Sequence, residues 1–318
     1  MPQTTTPPRK RRRTTRVRPS GPAGEMAAEK ITTDNGAVEF EKVIFIECFA
    51  GKGVLAKALE RVGVRAVTED LDVGGVDFAN DQEVTQLWAR WAEWSEAGWQ
   101  LLFHFAPPCS SFSAVRDRNR RTRLRSPACP QGLDTTERIT AEGNKIARTT
   151  ALSIRFLVSQ LNAAGSMEQP TRSYMLPFLE AEGLLDEHEE VIVHQCRFGR
   201  SYKKPTSFLC FGGLVLKSIG RQCVRMSCGR PFHTRLGFDG SSTSAAAEYP
   251  PGLAAAYAGA IVAWLTQQSS ESTAIDRLVV TSEGVLQRHI DRRADVKSAK
   301  QLRAAEDLES RAGGDFKG

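Results

Sequence analysis

Apolar residues along this chain fall into short blocks of two kinds, separated by polar turns. Val43 to Cys48 is an almost unbroken apolar run of strand length, Val54 to Val62 has helical spacing, and Val64 to Thr68 reads as a second strand. Trp88, Trp91 and Trp94 recur on one face of an amphipathic helix, which marks them as core, and Leu101 to Phe105 is the next strand. The polar stretch from Ser110 to about Thr140 is too long for an ordinary strand-to-helix connection and is expected to be functional. A long amphipathic helix follows from Ala141 to Ala164. Strands are expected near Ser166 to Glu168, Glu190 to His194 and Ser207 to Phe211, and a last helix from Pro251 to Leu265. This alternation predicts an α/β fold built on a doubly wound, mostly parallel sheet covered on both faces.

The flanks differ from this body. Residues 1–40 are rich in Thr, Pro, Arg and Gly and are expected to form a disordered basic arm; residues 269–318 are highly charged and weakly apolar and are expected to form a mobile tail. The body divides into 41–210, a short interval at 211–248, and a closing helix at 249–268. The formal net charge of +6 sits mostly in the arm, where Arg9, Lys10, Arg11, Arg12, Arg13, Arg16 and Arg18 precede any acid. Such an arm suits phosphate contacts or nuclear import, so the expected location is nuclear in a eukaryote and cytoplasmic otherwise. No apolar run is long enough to span a membrane, and the basic N-terminus lacks the apolar core of a secretory signal. Seven irregularly spaced cysteines fit a reducing compartment.

Three places carry candidate chemistry. Phe49-Ala50-Gly51-Lys52-Gly53-Val54-Leu55-Ala56 follows the first strand and fits a loose G-x-G-x-x-A turn, a device shared by NAD, FAD and S-adenosylmethionine sites. Glu69, Asp70 and Asp72 follow the second strand, where a carboxylate can hold ribose hydroxyls; Glu69 is the first choice. Asp77 is placed for an adenine amino group. Cys109 follows Pro107-Pro108 at the end of the third strand, at an expected loop–helix junction where amide dipoles lower a thiol pKa. Cys48, Cys129, Cys196 and Cys210 lack that setting and read as core or incidental. Arg116, Arg118, Arg120, Arg121, Arg123 and Arg125 follow the thiol with only Asp117 opposing them, a density that suits phosphate contacts. Cys223-x4-Cys228-x4-His233 could hold zinc with a fourth ligand from elsewhere, but its spacing is not a standard zinc pattern and no metal is expected there.

Taken together, Phe49-Ala50-Gly51-x-Gly53, Pro107-Pro108-Cys109-x-x-Phe112-Ser113, Glu168 and Gln195-Cys196-Arg197-Phe198-Gly199-Arg200 resemble, in order and spacing, motifs of the DNA cytosine-5 methyltransferase family. The likeness runs from about Val43 to Leu265 and is greatest to divergent forms from protists, phages and mobile elements. Glu168-Gln169-Pro170 stands where that family has Glu-Asn-Val, and Tyr249-Pro250-Pro251-Gly252 lacks its Gly-Asn-Ser.

The resemblance implies a class I methyltransferase fold with S-adenosylmethionine as cofactor, held by Phe49, Ala50, Gly51, Gly53, Glu69, Asp70, Asp77 and Pro107. It further implies Cys109 as nucleophile, Glu168 as the acid at cytosine N3, and Arg197 holding the base O2 or orienting Glu168. Arg200 and Lys203, with Arg116, Arg118, Arg120 and Arg121, would contact nucleic acid. The interval 211–248 is a reduced target-recognition region by this reading, which implies weak sequence selectivity. DNA is the expected partner. RNA modification by the same chemistry, a nucleic-acid-binding protein without turnover, and an NAD-dependent enzyme stay open as alternatives.

Overall fold

The computed structural model describes residues 40–72, 75–234 and 246–279, with side chains as far as 269. The basic arm, the centre of the recognition interval and the charged tail beyond 279 lie outside the described residues.

Strand β1 (Val43–Cys48) is buried at every position, which explains why its sequence shows no alternation: both faces of the sheet are covered. It leads through the glycine turn into α1 (Val54–Glu60), then β2 (Arg65–Glu69), α2 (Asp81–Glu96) and β3 (Gln100–Phe105). The long connection after β3 ends at α3 (Arg138–Leu161), followed by β4 (Ala164–Pro170), α4 (Met175–Ala181), β5 (Glu189–His194), β6 (Pro205–Phe211) and α5 (Pro251–Val279). Asn80 caps α2 by accepting from Gln82 N at 3.1 Å. Glu137 does the same for α3 through Thr140 N at 2.8 Å, so that helix begins three residues before the expected Ala141. Helix α4 has only seven residues, too few for a periodic signal, and was not anticipated.

The strands form one sheet in the order β2-β1-β3-β4-β6-β5. The first four are mutually parallel, whereas β6 runs antiparallel to both β4 and β5. A parallel, doubly wound sheet with one reversed strand beside its edge is the class I methyltransferase arrangement. The chain enters at β1, winds outward to β2 and returns to β3 on the other side of β1. The carboxyl ends of β1 and β3 therefore flank the topological switch point, where such sheets bind ligands.

Two apolar layers sandwich the sheet. One packs α1 and α5 on it through Phe45, Leu59, Leu253, Tyr257 and Ile261. The other packs α2, α3 and α4 through Ile46, Trp91, Phe103, Phe105, Ile154 and Phe178. Of the three α2 tryptophans Trp91 is fully buried, whereas Trp88 and Trp94 are half-buried, Trp88 stacking on Phe156 at 5.1 Å. Among the described residues no helix is long and apolar enough to cross a membrane.

Candidate active site

Above the switch point lies a cleft of about 920 Å³, large enough for a cofactor and a base. Three neighbouring parts of the sheet supply its walls: the Phe49-Ala50-Gly51-Lys52 turn after β1, the Ala106-to-Ser110 turn after β3, and Glu168 on β4. Arg116, Lys204, Glu248 and Tyr249 complete it.

The turn after β1 is shaped by left-handed backbone at Phe49, Gly51 and Gly53 (φ 58°, 53° and 61°). Gly51 lines the cleft, and a side chain there would meet no protein atom within 4 Å, so the space beside it is open. Gly53 is buried, its α-carbon turned toward Thr68, which a Cβ would approach to 3.1 Å. Beneath the turn is a carboxyl that the sequence reading passed over. Glu47, 2% exposed within β1, accepts from Ala56 N at 2.8 Å and so caps α1 from below. Burial raises its pKa to about 7 despite that hydrogen bond. A charged residue inside an otherwise apolar strand run was the signal for it.

Cys109 is held by the Pro-Pro turn, and the turn is pinned from β4 by Gln169, whose amide donates to Pro107 O at 3.4 Å. Gln169 thus gives structural sense to the Glu-Gln-Pro sequence. The expected helix junction after the thiol is absent. Residues 110–112 form turns, and only a short 3-10 helix, Ala114–Arg118, follows. Accordingly the thiol pKa is raised rather than lowered: burial pushes it up, the Glu168 charge pushes in the same direction, and Lys204 pulls it back. Cys109 and Glu168 line the same cleft.

Glu168 is buried, and its Oε1 has no hydrogen-bond partner. Burial raises its pKa, opposed by Lys204, whose Nζ lies 3.8 Å from Oε1. A buried carboxyl oxygen without a partner, aimed into a cleft beside a thiol, is set up to donate to or accept from something that enters.

Arg197 does not take the expected place beside Glu168. Its guanidinium donates to Ser227 O, Arg200 donates to Glu248 O at 2.8 Å, and neither lines the cleft. Lys204 supplies the cation instead, positioned by donating to Ala246 O at 2.8 Å; its neighbour Lys203 is exposed. The three acids expected at the cofactor are also set back from the cleft. Glu69 is buried in an ion pair with Arg90, Asp70 accepts from Gly51 N at 3.1 Å, and Asp77 accepts from Ala79 N at 2.8 Å. Asp70 therefore braces the glycine turn.

Within the arginine-rich loop, Arg116 reaches the cleft, donating to Ser110 O at 2.7 Å, while Arg118, Arg120 and Arg121 are exposed. Arg125 departs from the expected phosphate role. It is 1% exposed, lies 3.6 Å over the Phe112 ring, and donates to Ser111 O, Pro130 O, Thr140 O and Asn144 Oδ1. It is the rivet of the loop, and Arg123 turns back to Arg125 O.

Behind the cleft runs a buried polar chain. His104 Nε2 lies 2.8 Å from the Tyr249 hydroxyl and its Nδ1 2.8 Å from Ser166 Oγ, which is 2.9 Å from the Tyr257 hydroxyl. Burial lowers the His104 pKa to about 3, so the ring is neutral. The Lys52–Glu248 ion pair (2.6 Å) ties the glycine turn to the same closing segment.

Compared with known proteins, the chain matches no protein-family model and no curated protein. Among solved structures it is similar to the Entamoeba histolytica methyltransferase EhMeth, at 12% identity over 54% of this chain and 52% of that one, with a TM-score of 0.30. The chain thus spans about half the length of that protein, a likeness too loose to carry a site or substrate across.

Proposed function

We propose that this protein methylates carbon 5 of cytosine in DNA, using S-adenosylmethionine and a transient covalent bond from Cys109. One observation carries the reading: Cys109 and the buried carboxyl of Glu168, whose Oε1 has no hydrogen-bond partner, share a cleft with an open glycine turn. The cleft walls suit the cofactor, with Phe49, Ala50, Gly51 and Pro107 as its contacts. When bound, it supplies an electrophilic methyl group on a sulfonium.

The chain's own residues do the rest. Carbon 5 of cytosine is a poor nucleophile because the ring is electron-poor. Cys109 gives up its proton to a base and, as the thiolate, adds to carbon 6, forming a C–S bond and moving an electron pair onto the ring. Glu168, whose pKa burial raises, hydrogen-bonds N3 in its protonated form and relieves the charge that builds there. Carbon 5 takes the methyl group, a base removes the carbon 5 proton, and that electron pair re-forms the double bond as the Cys109 thiolate leaves. Lys204 limits how far the burial-driven shifts of both groups go. A base in a duplex must swing out of its stack to reach a thiol at this depth. Arg116, Arg118, Arg120 and Arg121 are on hand for the phosphates.

The test is trapping. With S-adenosylmethionine and a DNA oligonucleotide containing 5-fluorocytosine, the wild type is expected to form a denaturation-resistant adduct, because fluorine blocks the final elimination. Cys109→Ser is expected to form none. A parallel RNA oligonucleotide distinguishes the substrate class. Absence of an adduct on both, despite cofactor binding, overturns the covalent mechanism.

A further inference from the structure

Away from the cleft, four side chains converge that sequence distance kept apart. Cys196 sits in the 3-10 turn Gln195–Phe198 after β5; Cys223, Cys228 and His233 lie on the segment after β6. One ligand atom from each, three sulfurs and a ring nitrogen, lies within 4.8 Å of all the others. His233 Nε2 is 3.7 Å from Cys223 Sγ and 3.3 Å from Cys228 Sγ. A tetrahedral zinc ion with ordinary Zn–S and Zn–N bonds requires ligand-to-ligand edges of roughly 3.5–3.8 Å. We propose that Cys196, Cys223, Cys228 and His233 bind one structural zinc ion, clamping the segment after β6 onto the turn that carries Arg197.

The donor set selects the metal. Three thiolates and an imidazole in a closed four-ligand site favour zinc over the oxygen-seeking Mg²⁺, Ca²⁺ and Mn²⁺. All four cysteine and histidine groups are available, since no disulfide forms among the described cysteines.

The surrounding chain shows why a metal is needed. From 220 to 234 there is neither helix nor strand. Cys223 and Cys228 are brought together by consecutive turns, Ser227 N to Val224 O and Gly229 N to Met226 O, both at 3.0 Å. The turns hold Arg225 and Met226 left-handed (φ 47° and 59°), a conformation that non-glycine residues keep only when their surroundings enforce it. Hydrophobic burial does not enforce it, because Val224, Met226 and Phe232 are 63%, 43% and 68% exposed. What remains is a set of polar ties to residues 194–201. His194 Nδ1 accepts from Cys223 N at 2.7 Å, Gly199 O from Arg230 at 2.8 Å, and Ser201 O from Thr234 N at 3.1 Å. His194 is thereby spoken for and orients the Cys223 backbone rather than ligating. Small elements that cannot build a core are commonly secured by a metal.

This inference stands apart from the methyltransferase reading, and its test reads metal, not methyl transfer. Full-length protein, purified without metal-affinity resin and dialysed, is expected to retain about one zinc per chain by elemental mass spectrometry. Cys196→Ser and Cys228→Ser are each expected to lose most of it, and Cys129→Ser, outside the cluster, to keep it. Exchange into cobalt is expected to produce the thiolate-to-metal charge-transfer band and the strong visible bands of a tetrahedral site, a readout of the wild type that survives if a ligand variant fails to fold. Zinc content in the wild type no higher than in Cys196→Ser, a cobalt spectrum without those bands, or a disulfide among the three cysteines overturns the assignment.

Discussion

Replacing Glu47 by Gln tests whether a carboxyl inside β1 keeps its proton up to about pH 7. The side chain is 2% exposed, accepts from Ala56 N at 2.8 Å, and has its pKa raised from 4.5 to about 7 by burial. A raised carboxyl pKa means the folded state holds a proton that the unfolded state has already released. Stability from this group is therefore full below pH 4.5 and declines as pH rises toward 7. At 1.36 kcal/mol per pH unit, the loss over that interval is about 3 kcal/mol. Gln keeps an oxygen for Ala56 N and cannot ionise.

The wild-type curve alone does not isolate Glu47. His104, neutral and buried with a pKa near 3, contributes stability above its unfolded pKa of 6.5 that is lost as pH falls. His104 is present in both proteins, so the difference between them cancels it. Urea unfolding followed by circular dichroism, from pH 4.5 to 8.5, is expected to show wild type losing about 3 kcal/mol relative to Glu47→Gln. A difference that stays flat across that range refutes the reasoning, whatever the absolute stabilities.

Other expectations follow from the same geometry. Glu168→Gln removes the charge that raises the Cys109 pKa and is expected to speed Cys109 alkylation by iodoacetamide at pH 8.5, whereas Lys204→Met is expected to slow it; peptide mass spectrometry separates this thiol from the others. Arg125→Lys cannot reproduce a planar fork serving acceptors on Ser111, Pro130, Thr140 and Asn144 over Phe112 and is expected to cost about 3 kcal/mol in urea unfolding. If the proposed DNA substrate is correct, changing Arg118, Arg120 and Arg121 together to Ala lowers the slope of log affinity against log salt by up to about 3, measured by fluorescence anisotropy.

What could be read from the sequence was what adjacent residues encode. Strand β1 is bounded as expected because six apolar-rich positions and a glycine turn define it locally. Cys109, Glu168 and the Phe49-Ala50-Gly51 turn share a cleft as their order along alternating elements implied. Pairings set by tertiary distance escaped. The Glu168 partner is Lys204, not Arg197, because β6 runs antiparallel beside β4 and delivers its own preceding residue to the site. Arg125 read as one more loop cation, since nothing in a run of arginines tells which one is buried. Cys196 read as incidental because its neighbours Cys223 and Cys228 are brought to it only by folding.

The segment bearing Glu248, Tyr249 and Tyr257 is made last among the parts that wall the cleft. While a ribosome is still translating, the glycine turn, the thiol and the carboxyl have all emerged, yet the hydroxyls that meet His104 and Ser166 have not. A half-made molecule therefore has the Cys109 thiol in hand but no finished cleft around it. Until Tyr249 and Tyr257 are in place, the buried pair His104 and Ser166 lacks both of the hydroxyls that close its hydrogen-bond chain.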